Sequence, residues 1–292
     1  MQKEKVVFIY NQVSGKGLSK LKLELIISKL KNIFSNITLC KTINTGDAKK
    51  YAARYTDYDL IIVLGGDGTI NDVISAIMDS KYSPKIAIIP NGTMNDFAKN
   101  LGLNKNISKS IEYIKKGHFT KCNILKVNNT YATYGVAMGR FSSTSYNTNQ
   151  KLKKIFGKLS YFLTATSELF KFSPIELEIL HNKQKLCGKY SLCLICNSSH
   201  IAGFKMKENI RQPYLILVKS TKNLASIKDI IKLFVKGIDK ISKNKNFVVF
   251  PFDRVCIKSA NKINIVIDGE RHECKELEIS VQTKQLYFVS NK

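Results

Sequence analysis

The chain has 292 residues, with 47 lysines and arginines against 22 aspartates and glutamates, a formal net charge of +25, and 44% hydrophobic residues. This composition excludes a disordered chain and a small stapled scaffold, and no stretch approaches the ~20 consecutive apolar residues of a membrane span. At roughly 100–200 residues per domain the length predicts two domains, and the excess positive charge predicts an anionic partner.

Met1 to Lys5 leads at once into an apolar run, Val6–Tyr10, too short and too soon interrupted for a signal peptide, so a cytoplasmic protein is expected. A polar loop, Asn11–Gly17, opens a helix over Leu18–Phe34 that carries Leu21, Leu25, Ile26, Leu30 and Ile33. A strand follows at Ile37–Lys41, a helix at Asp47–Tyr55, an apolar strand at Leu60–Leu64, a helix at Ile70–Asp79, a strand at Ile86–Pro90 and a helix from Asn95. The alternation predicts a parallel sheet covered on both faces, with ligands at the carboxyl ends of its strands.

Two of the loops carry chemistry. After Leu60–Leu64 come Gly65, Gly66, Asp67, Gly68, Thr69, Ile70 and Asn71. Three glycines let backbone approach a bound group, N–H groups at the helix start attract phosphate, and Asp67 beside phosphates makes sense with Mg²⁺. The plainer reading is a strand-turn-helix in which Asp67 or Thr69 caps the helix. After Ile86–Pro90 come Asn91, Gly92, Thr93, Met94, Asn95, Asp96 and, one turn on, Lys99. Thr93 offers a hydroxyl, Asn95 and Asp96 bind polar hydrogens, and Lys99 supplies positive charge to a phosphate. Asn95 or Asp96 can cap this helix as well.

Beyond about Lys121 the runs become short and β-rich: Lys121–Val127, Ile175–His181, Tyr190–Asn197, Tyr214–Lys219, Phe247–Phe252 and Ile263–Ile267. They predict a mostly antiparallel second domain, giving domains 1–120 and 121–292 with the extreme C-terminus free to return to the first. A polar stretch, Ser142–Gln150, leads into a basic helix-like segment, Lys151–Phe170, and a second helical segment spans about Ser226–Ser242. In the latter Lys228, Lys232, Lys236 and Lys240 recur every four residues, while Ile227, Ile230, Ile231, Phe234, Val235, Ile238 and Ile241 take the apolar positions. That helix either meets an anionic membrane or packs on the sheet with a solvated lysine stripe.

Seven scattered cysteines read as reduced thiols. Cys193 and Cys196 form a CxxC within a β-like run, where residues three apart point to opposite faces, so buried thiols are expected rather than zinc or redox ligands. His118, His181, His200 and His272 show no metal-like spacing, although His272 lies close to Glu270. Asp268, Gly269 and Glu270, read alone, form a turn after the strand Ile263–Ile267.

Taken together, Gly65–Asn71, Pro90–Lys99, Asn11–Gly15 and Asp268–Glu270 resemble the soluble diacylglycerol kinase and sphingosine kinase-like lipid kinases, most nearly the bacterial diacylglycerol kinases. The residues 156–161 and 197–204 also look like family segments. The first glycine loop is shared with NAD kinases and phosphofructokinases; the second separates this chain from them. The resemblance implies a Rossmann-like α/β nucleotide-binding domain, a C-terminal antiparallel β-sandwich, and ATP as phosphate donor with Mg²⁺. It implies nucleotide contacts from Asn11, Gln12, Val13, Ser14, Gly15, Thr42, Gly65, Gly66, Asp67, Gly68, Thr69, Asn71 and Thr93, and makes Glu270 the proton acceptor from a lipid hydroxyl, with Asp67 beside it in catalysis. Asn95, Asp96 and Lys99 are assigned to the substrate.

Several positions depart from the family pattern. Gln12 replaces a proline, Asp72 a glutamate, and Tyr134 stands where asparagine is common; the segment 205–214 lacks the Asp-Gly pair whose aspartate binds a structural Mg²⁺ in the bacterial enzymes, so that metal site is not carried over. The expected function is a peripheral-membrane lipid kinase transferring the γ-phosphate of ATP to a diacylglycerol-like hydroxyl, in phospholipid metabolism. The alternative is an inactive homologue that binds lipid or nucleotide. The expected partner is lipid at an anionic membrane surface; a homodimer is compatible with the sequence, and no recognisable nucleic-acid module accompanies the charge.

Overall fold

Val6–Ile9, Leu60–Leu64 and Ile86–Ile89 run as unbroken apolar stretches, as strands covered on both faces must. A computed structural model of the chain describes residues 2–139 except 13 and 16, and 174–291 except 209 and 222; Val13, the stretch 142–150 and the basic segment 151–170 lie outside the described residues. In chain order the elements are β1 (Gln2–Tyr10), α1 (Lys20–Ile33), β2 (Phe34–Lys41), α2 (Asp47–Arg54), β3 (Leu60–Gly65), α3 (Asp67–Met78), β4 (Lys85–Pro90), α4 (Asp96–Asn100), α5 (Ile107–Lys116), β5 (Phe119–Cys122), β6 (Leu125–Val127), β7 (Thr130–Ala132) and β8 (Gly135–Met138). They continue with β9 (Ile175–His181), β10 (Gln184–Cys196), β11 (His200–Ile201), β12 (Phe204–Lys205), β13 (Tyr214–Lys219), α6 (Asn223–Lys236), α7 (Ile238–Ile241), β14 (Phe247–Pro251), β15 (Arg254–Ile267), β16 (Glu270–Val281) and β17 (Leu286–Val289).

The first of two units comprises Met1–Ile124 and Gln282–Lys292. Its sheet has the order β2-β1-β3-β4-β17-β5, with every pair parallel except β17 with β5. On one face Leu23, Ile26 and Leu30 of α1 and Ile111 and Ile114 of α5 pack on Val6, Phe8, Ile62, Leu64 and Ile89. The alternate strand residues Val7, Ile9, Ile61, Val63 and Ile88 are buried on the opposite face, against which α2 and α3 lie. α1 begins where the Ser19 hydroxyl accepts the Lys22 N–H, and α5 where the Asn106 side chain accepts that of Lys109; α5 ends at Gly117, at φ 67°.

The apolar residues that the sequence places in α1 divide between two sides: Leu23, Ile26 and Leu30 form the buried stripe at helical spacing, and Leu21 and Leu25 fall opposite it, in solvent. Lys121–Val127 is not one strand: β5 belongs to the first unit and β6 to the second, the division falling between Ile124 and Leu125.

The second unit, Leu125–Val281, is antiparallel throughout its main sheet, in the order β14-β13-β10-β8-β15-β16-β6-β7, with β9 pairing both β10 and β15. β10 and β15 are long and each pairs with β9 over one part and β8 over another, with register shifts between Tyr190 and Leu192 and between Lys258 and Ile263. Val136, Met138, Leu177, Ile195, Ile257 and Ile265 share the larger core. On the other side Leu192, Leu194, Ile216 and Val218 take the apolar faces of α6 and α7, chiefly Ile230, Leu233, Ile238 and Ile241.

The predicted continuous helix over 226–242 is broken. Gly237, at φ 73° and ψ 176°, separates α6 from α7, and a Cβ there would stand 2.6 Å from the Met206 carbonyl oxygen. Lys240 therefore does not continue the stripe of Lys228, Lys232 and Lys236. The apolar face, apart from Ile227, whose side chain lies outside the described residues, is spent largely on the sheet; Val235 stays exposed.

Candidate active site

The chain runs β1, α1, β2 on one side of β1 and continues with β3 on its other side, so the strand order reverses at β1 and β3. Connections leave these two strands in opposite directions, opening a crevice at their carboxyl ends. The three glycine-bearing loops meet there. The Asn11 N–H donates to the Leu64 carbonyl (2.9 Å), the Asn91 N–H to the Gly65 carbonyl (2.8 Å) and the Asn91 side-chain amide to the Ser14 carbonyl (3.0 Å). A fourth segment joins them, because the Thr42 N–H and hydroxyl both donate to the Tyr10 carbonyl (3.0 and 3.3 Å).

Packing at this junction leaves no room for side chains. A Cβ on Gly92 would lie 2.6 Å from the Gly66 Cα, one on Gly66 would lie 3.1 Å from both the Gly92 Cα and the Ser14 hydroxyl, and one on Gly15 would lie 2.1 Å from the Asn91 carbonyl oxygen. Gly15 is also left-handed, at φ 67°. Gly92→Ala is therefore expected to wedge the two phosphate-type loops apart at a cost of about 2 kcal/mol, read as a lower Tm together with weakened nucleotide binding by calorimetric titration. Unchanged values for both would show that the loops yield freely.

Sequence reasoning placed Gly92 and Asn91 in a loop without giving them a role, although an Asn-Gly dipeptide after a strand is itself a turn signal.

α3 starts earlier than predicted, at Asp67, with Gly66 as its N-cap and no capping side chain. Asp67 does not cap its own helix. Its carboxylate instead accepts the N–H of Asn95 (Oδ2, 2.8 Å) and of Phe97 (Oδ1, 3.4 Å), tying the first glycine loop to the start of α4. Thr69 folds back over Gly65, where a Cβ would meet its side chain at 2.6 Å, while Gly68 faces open space. The first-turn N–H groups of Gly68 and Thr69 thus escape side-chain capping, the arrangement that favours a bound phosphate.

The second loop is more self-contained than the sequence suggests. Asn95 is the N-cap of α4 in a left-handed conformation (φ 53°), yet its side chain does not cap the helix: its Oδ1 accepts the Gly92 N–H (2.8 Å) and its Nδ2 donates to the Gly92 carbonyl (3.0 Å). Asp96 is buried and paired with Lys99 at 2.9 Å. All three residues assigned to the substrate therefore shape the loop. Gln12, where the family pattern has proline, closes the first loop by donating from its side chain to the Leu18 carbonyl (3.1 Å), as the Leu18 N–H donates to the Gln12 carbonyl (2.8 Å).

In the second unit Ile267 pairs with Glu270 across a two-residue turn in which Asp268 (φ 46°) and Gly269 (φ 91°) are both left-handed. Asp-Gly is the dipeptide that such hairpin turns demand. Glu270, first residue of β16, is exposed at the turn. Asp268 is buried, and its carboxylate accepts four hydrogen bonds: the N–H and hydroxyl of Thr133 (both 2.6 Å) and the N–H groups of Tyr134 and Gly135 (both 3.0 Å). Burial pushes this carboxyl above its ordinary range, and the donors pull it back. Asn197 braces the same loop, donating from its side chain to the Thr133 carbonyl (2.9 Å) and from its N–H to the Tyr134 carbonyl (3.0 Å). The Tyr134 hydroxyl covers Gly269, 3.3 Å from where a Cβ would be.

Residues 5–127 match the diacylglycerol kinase catalytic domain. A diacylglycerol kinase from Staphylococcus carnosus is 31% identical over 268 residues, covering 90% of this chain and 87% of the relative, and one from Staphylococcus haemolyticus is 32% identical over 90% and 81%. The chain belongs to the diacylglycerol kinase family. It is thereby a kinase, an enzyme of phosphoryl transfer. A putative diacylglycerol kinase from Bacillus anthracis superposes with a TM-score of 0.85 at 25% identity, covering 100% of this chain and 96% of that one. An NAD kinase from Archaeoglobus fulgidus, solved in complex with ATP, shares the fold at a TM-score of 0.57 and 12% identity, over 98% and 94%.

In the segment 205–214 Lys205 pairs with Glu208, and Lys207 pairs with Asp239 of α7. Among the described residues no cluster of three His, Cys, Asp or Glu side chains is placed to hold a metal. Mg²⁺ carried by nucleotide phosphates needs only one or two carboxylates, a demand Asp67 fits. The cysteines are free thiols. Cys193 lies in the larger core and Cys196 on the opposite face, in the core under α6; burial pushes both thiols up, Cys196 to about 12. Neither is available as a ligand or nucleophile.

Proposed function

We propose that this kinase transfers the γ-phosphate of Mg²⁺-bound ATP to the free hydroxyl of a diacylglycerol-like lipid at a membrane surface. The observation that carries the reading is the convergence of Asn11–Gly15, Gly65–Asn71 and Asn91–Asn95 at the carboxyl ends of β1, β3 and β4, with three glycines in backbone-to-backbone or backbone-to-side-chain contact. Asn11, Gln12, Ser14, Gly15, Thr42, Gly65, Gly66, Gly68, Thr69, Asn71 and Thr93 form the nucleotide-binding rim. Asp67 orients the second loop through Asn95 and Phe97 and offers its carboxylate to the ion that accompanies the phosphates. That ion, when bound, neutralises charge on the transferring phosphate.

Glu270 takes the proton from the lipid hydroxyl as that oxygen bonds to phosphorus and the bond to the ADP oxygen breaks. Phosphoryl transfer leaves little covalent work for the protein beyond this base, positioning and charge stabilisation. The location follows from the substrate. Among the described residues no helix is long and apolar enough to cross a membrane, so a lipid is reached from the surface.

The test is transfer of labelled phosphate from ATP to lipid, with diacylglycerol, monoacylglycerol and ceramide offered in parallel and Mg²⁺ present or absent. Label in phosphatidic acid that depends on Mg²⁺ supports the reading. Nucleotide binding without transfer to any lipid would favour an inactive homologue.

A further inference from the structure

We propose that the outer face of α1, together with Ile43 at the same end of the sheet as Leu21, is a membrane-docking surface that seats the nucleotide-loop end of the first unit on an anionic leaflet. The proposal rests on the lipid-kinase reading for its choice of occupant. Its evidence is separate from the catalytic residues.

A surface helix packed on a core ordinarily presents polar residues to solvent. α1 does not. Its inner stripe, Leu23, Ile26 and Leu30, fills the core, yet Leu21 and Leu25, one turn apart on the opposite side, are 80% and 56% exposed. Ile43 is also 80% exposed; with Leu21 it is the most exposed large hydrophobic among the described residues. Its loop is held in place rather than loose, since Asp47 accepts the N–H groups of Ile43 and Asn44, both at 2.8 Å. Ile43 follows the carboxyl end of β2, where Lys41 pairs with Tyr10 at the end of β1, and Leu21 begins the helix to which that end of β1 leads. Both side chains therefore stand at the end of the sheet that carries the nucleotide loops.

Charge selects the occupant. α1 carries Lys20, Lys22, Lys29 and Lys31 against one acidic residue, Glu24, and Lys41 lies next to Ile43's loop. Lysines in the first turn of a helix oppose its macrodipole, and this turn contains no acidic residue, so Lys20 and Lys22 sit where folding alone would not favour them. Leucines ringed by lysines complement a surface that is apolar inside and anionic outside, with each lysine stem lying along the acyl boundary and its ammonium among the headgroups. α6 is the weaker candidate. Its lysines remain exposed at Lys228 and Lys236, but Ile230 and Leu233 are consumed by the sheet.

The experiment is vesicle flotation without nucleotide, using phosphatidylcholine alone or phosphatidylcholine mixed with phosphatidylglycerol. The chain is expected to bind the anionic vesicles at least ~10-fold more strongly, with binding that weakens as salt is raised. Leu21→Gln/Leu25→Gln and, separately, Ile43→Gln should reduce that binding, the double variant by ~10-fold or more, and Lys20→Glu/Lys22→Glu should flatten the salt dependence. All these side chains are solvent-exposed, so Tm should stay within a degree or two. Unchanged flotation of the leucine variant, or equal binding to neutral vesicles, would overturn the proposal. So would a dimer in solution that the leucine variant converts to monomer, because a second copy would then cover the face. Phosphorylation of diacylglycerol in detergent micelles, measured in parallel, is expected to be unaffected; an inactive wild-type chain that still floats would count against the kinase reading and leave the docking surface standing.

Discussion

Glu270→Gln is expected to lower kcat for lipid phosphorylation by ~10²–10⁴-fold while leaving KM for ATP near its original value. The amide keeps the size of the side chain and its hydrogen-bonding reach but cannot accept a proton. Glu270 is exposed at the first position of β16, directly after the Asp268-Gly269 turn, so no packing is lost and stability should change by less than about 0.5 kcal/mol. A fall in kcat with intact ATP binding is then the signature of a lost base. Glu270→Asp, which retains the carboxylate on a shorter stem, should recover part of the rate. Full activity in the glutamine variant would mean that positioning and charge stabilisation alone carry the reaction.

The parts of this site that the sequence made legible are those written in consecutive residues. Leu60–Leu64 followed by three glycines and an aspartate says strand, close approach and helix start within a dozen positions, and the parallel sheet places that loop against Asn11–Gly15 and Asn91–Asn95. Roles that depend on distant partners were hidden. Asp67 looks like a cap or a metal ligand until Asn95 and Phe97 are seen to donate to it, and Asn95 looks like a cap until both ends of its side chain close on Gly92. The break at Gly237 was equally invisible, because what forbids a side chain there is the carbonyl of Met206, thirty-odd positions earlier. On α1 the apolar residues alone leave the buried side open, because leucines occupy both faces and only the helix phase decides which stripe is buried.

Asp268→Asn is expected to destabilise the second unit by about 3 kcal/mol, lowering Tm by on the order of 10 °C. Asparagine tolerates the left-handed conformation at φ 46° as well as aspartate does, so the substitution leaves the turn intact and isolates the carboxylate. Four donors converge on that group: the N–H and hydroxyl of Thr133 and the N–H groups of Tyr134 and Gly135. An amide offers one accepting oxygen and points an NH₂ at the remaining donors, leaving buried N–H groups unsatisfied at ~1–3 kcal/mol each. The charge itself is costly to bury, and burial outweighs the donors in raising the Asp268 carboxyl above its unfolded value. The folded chain therefore holds this proton more tightly than the unfolded chain does, and its contribution to stability falls as pH rises from the ordinary carboxylate range through the raised folded value. Asparagine has no such proton, so the variant should lose this slope. Thermal and urea unfolding across a pH series read both effects at once. A variant with wild-type stability would show that the loop 133–135 holds its place without the carboxylate, and the Asp-Gly pair would then be conformational in role, setting the direction of Glu270 through the turn alone.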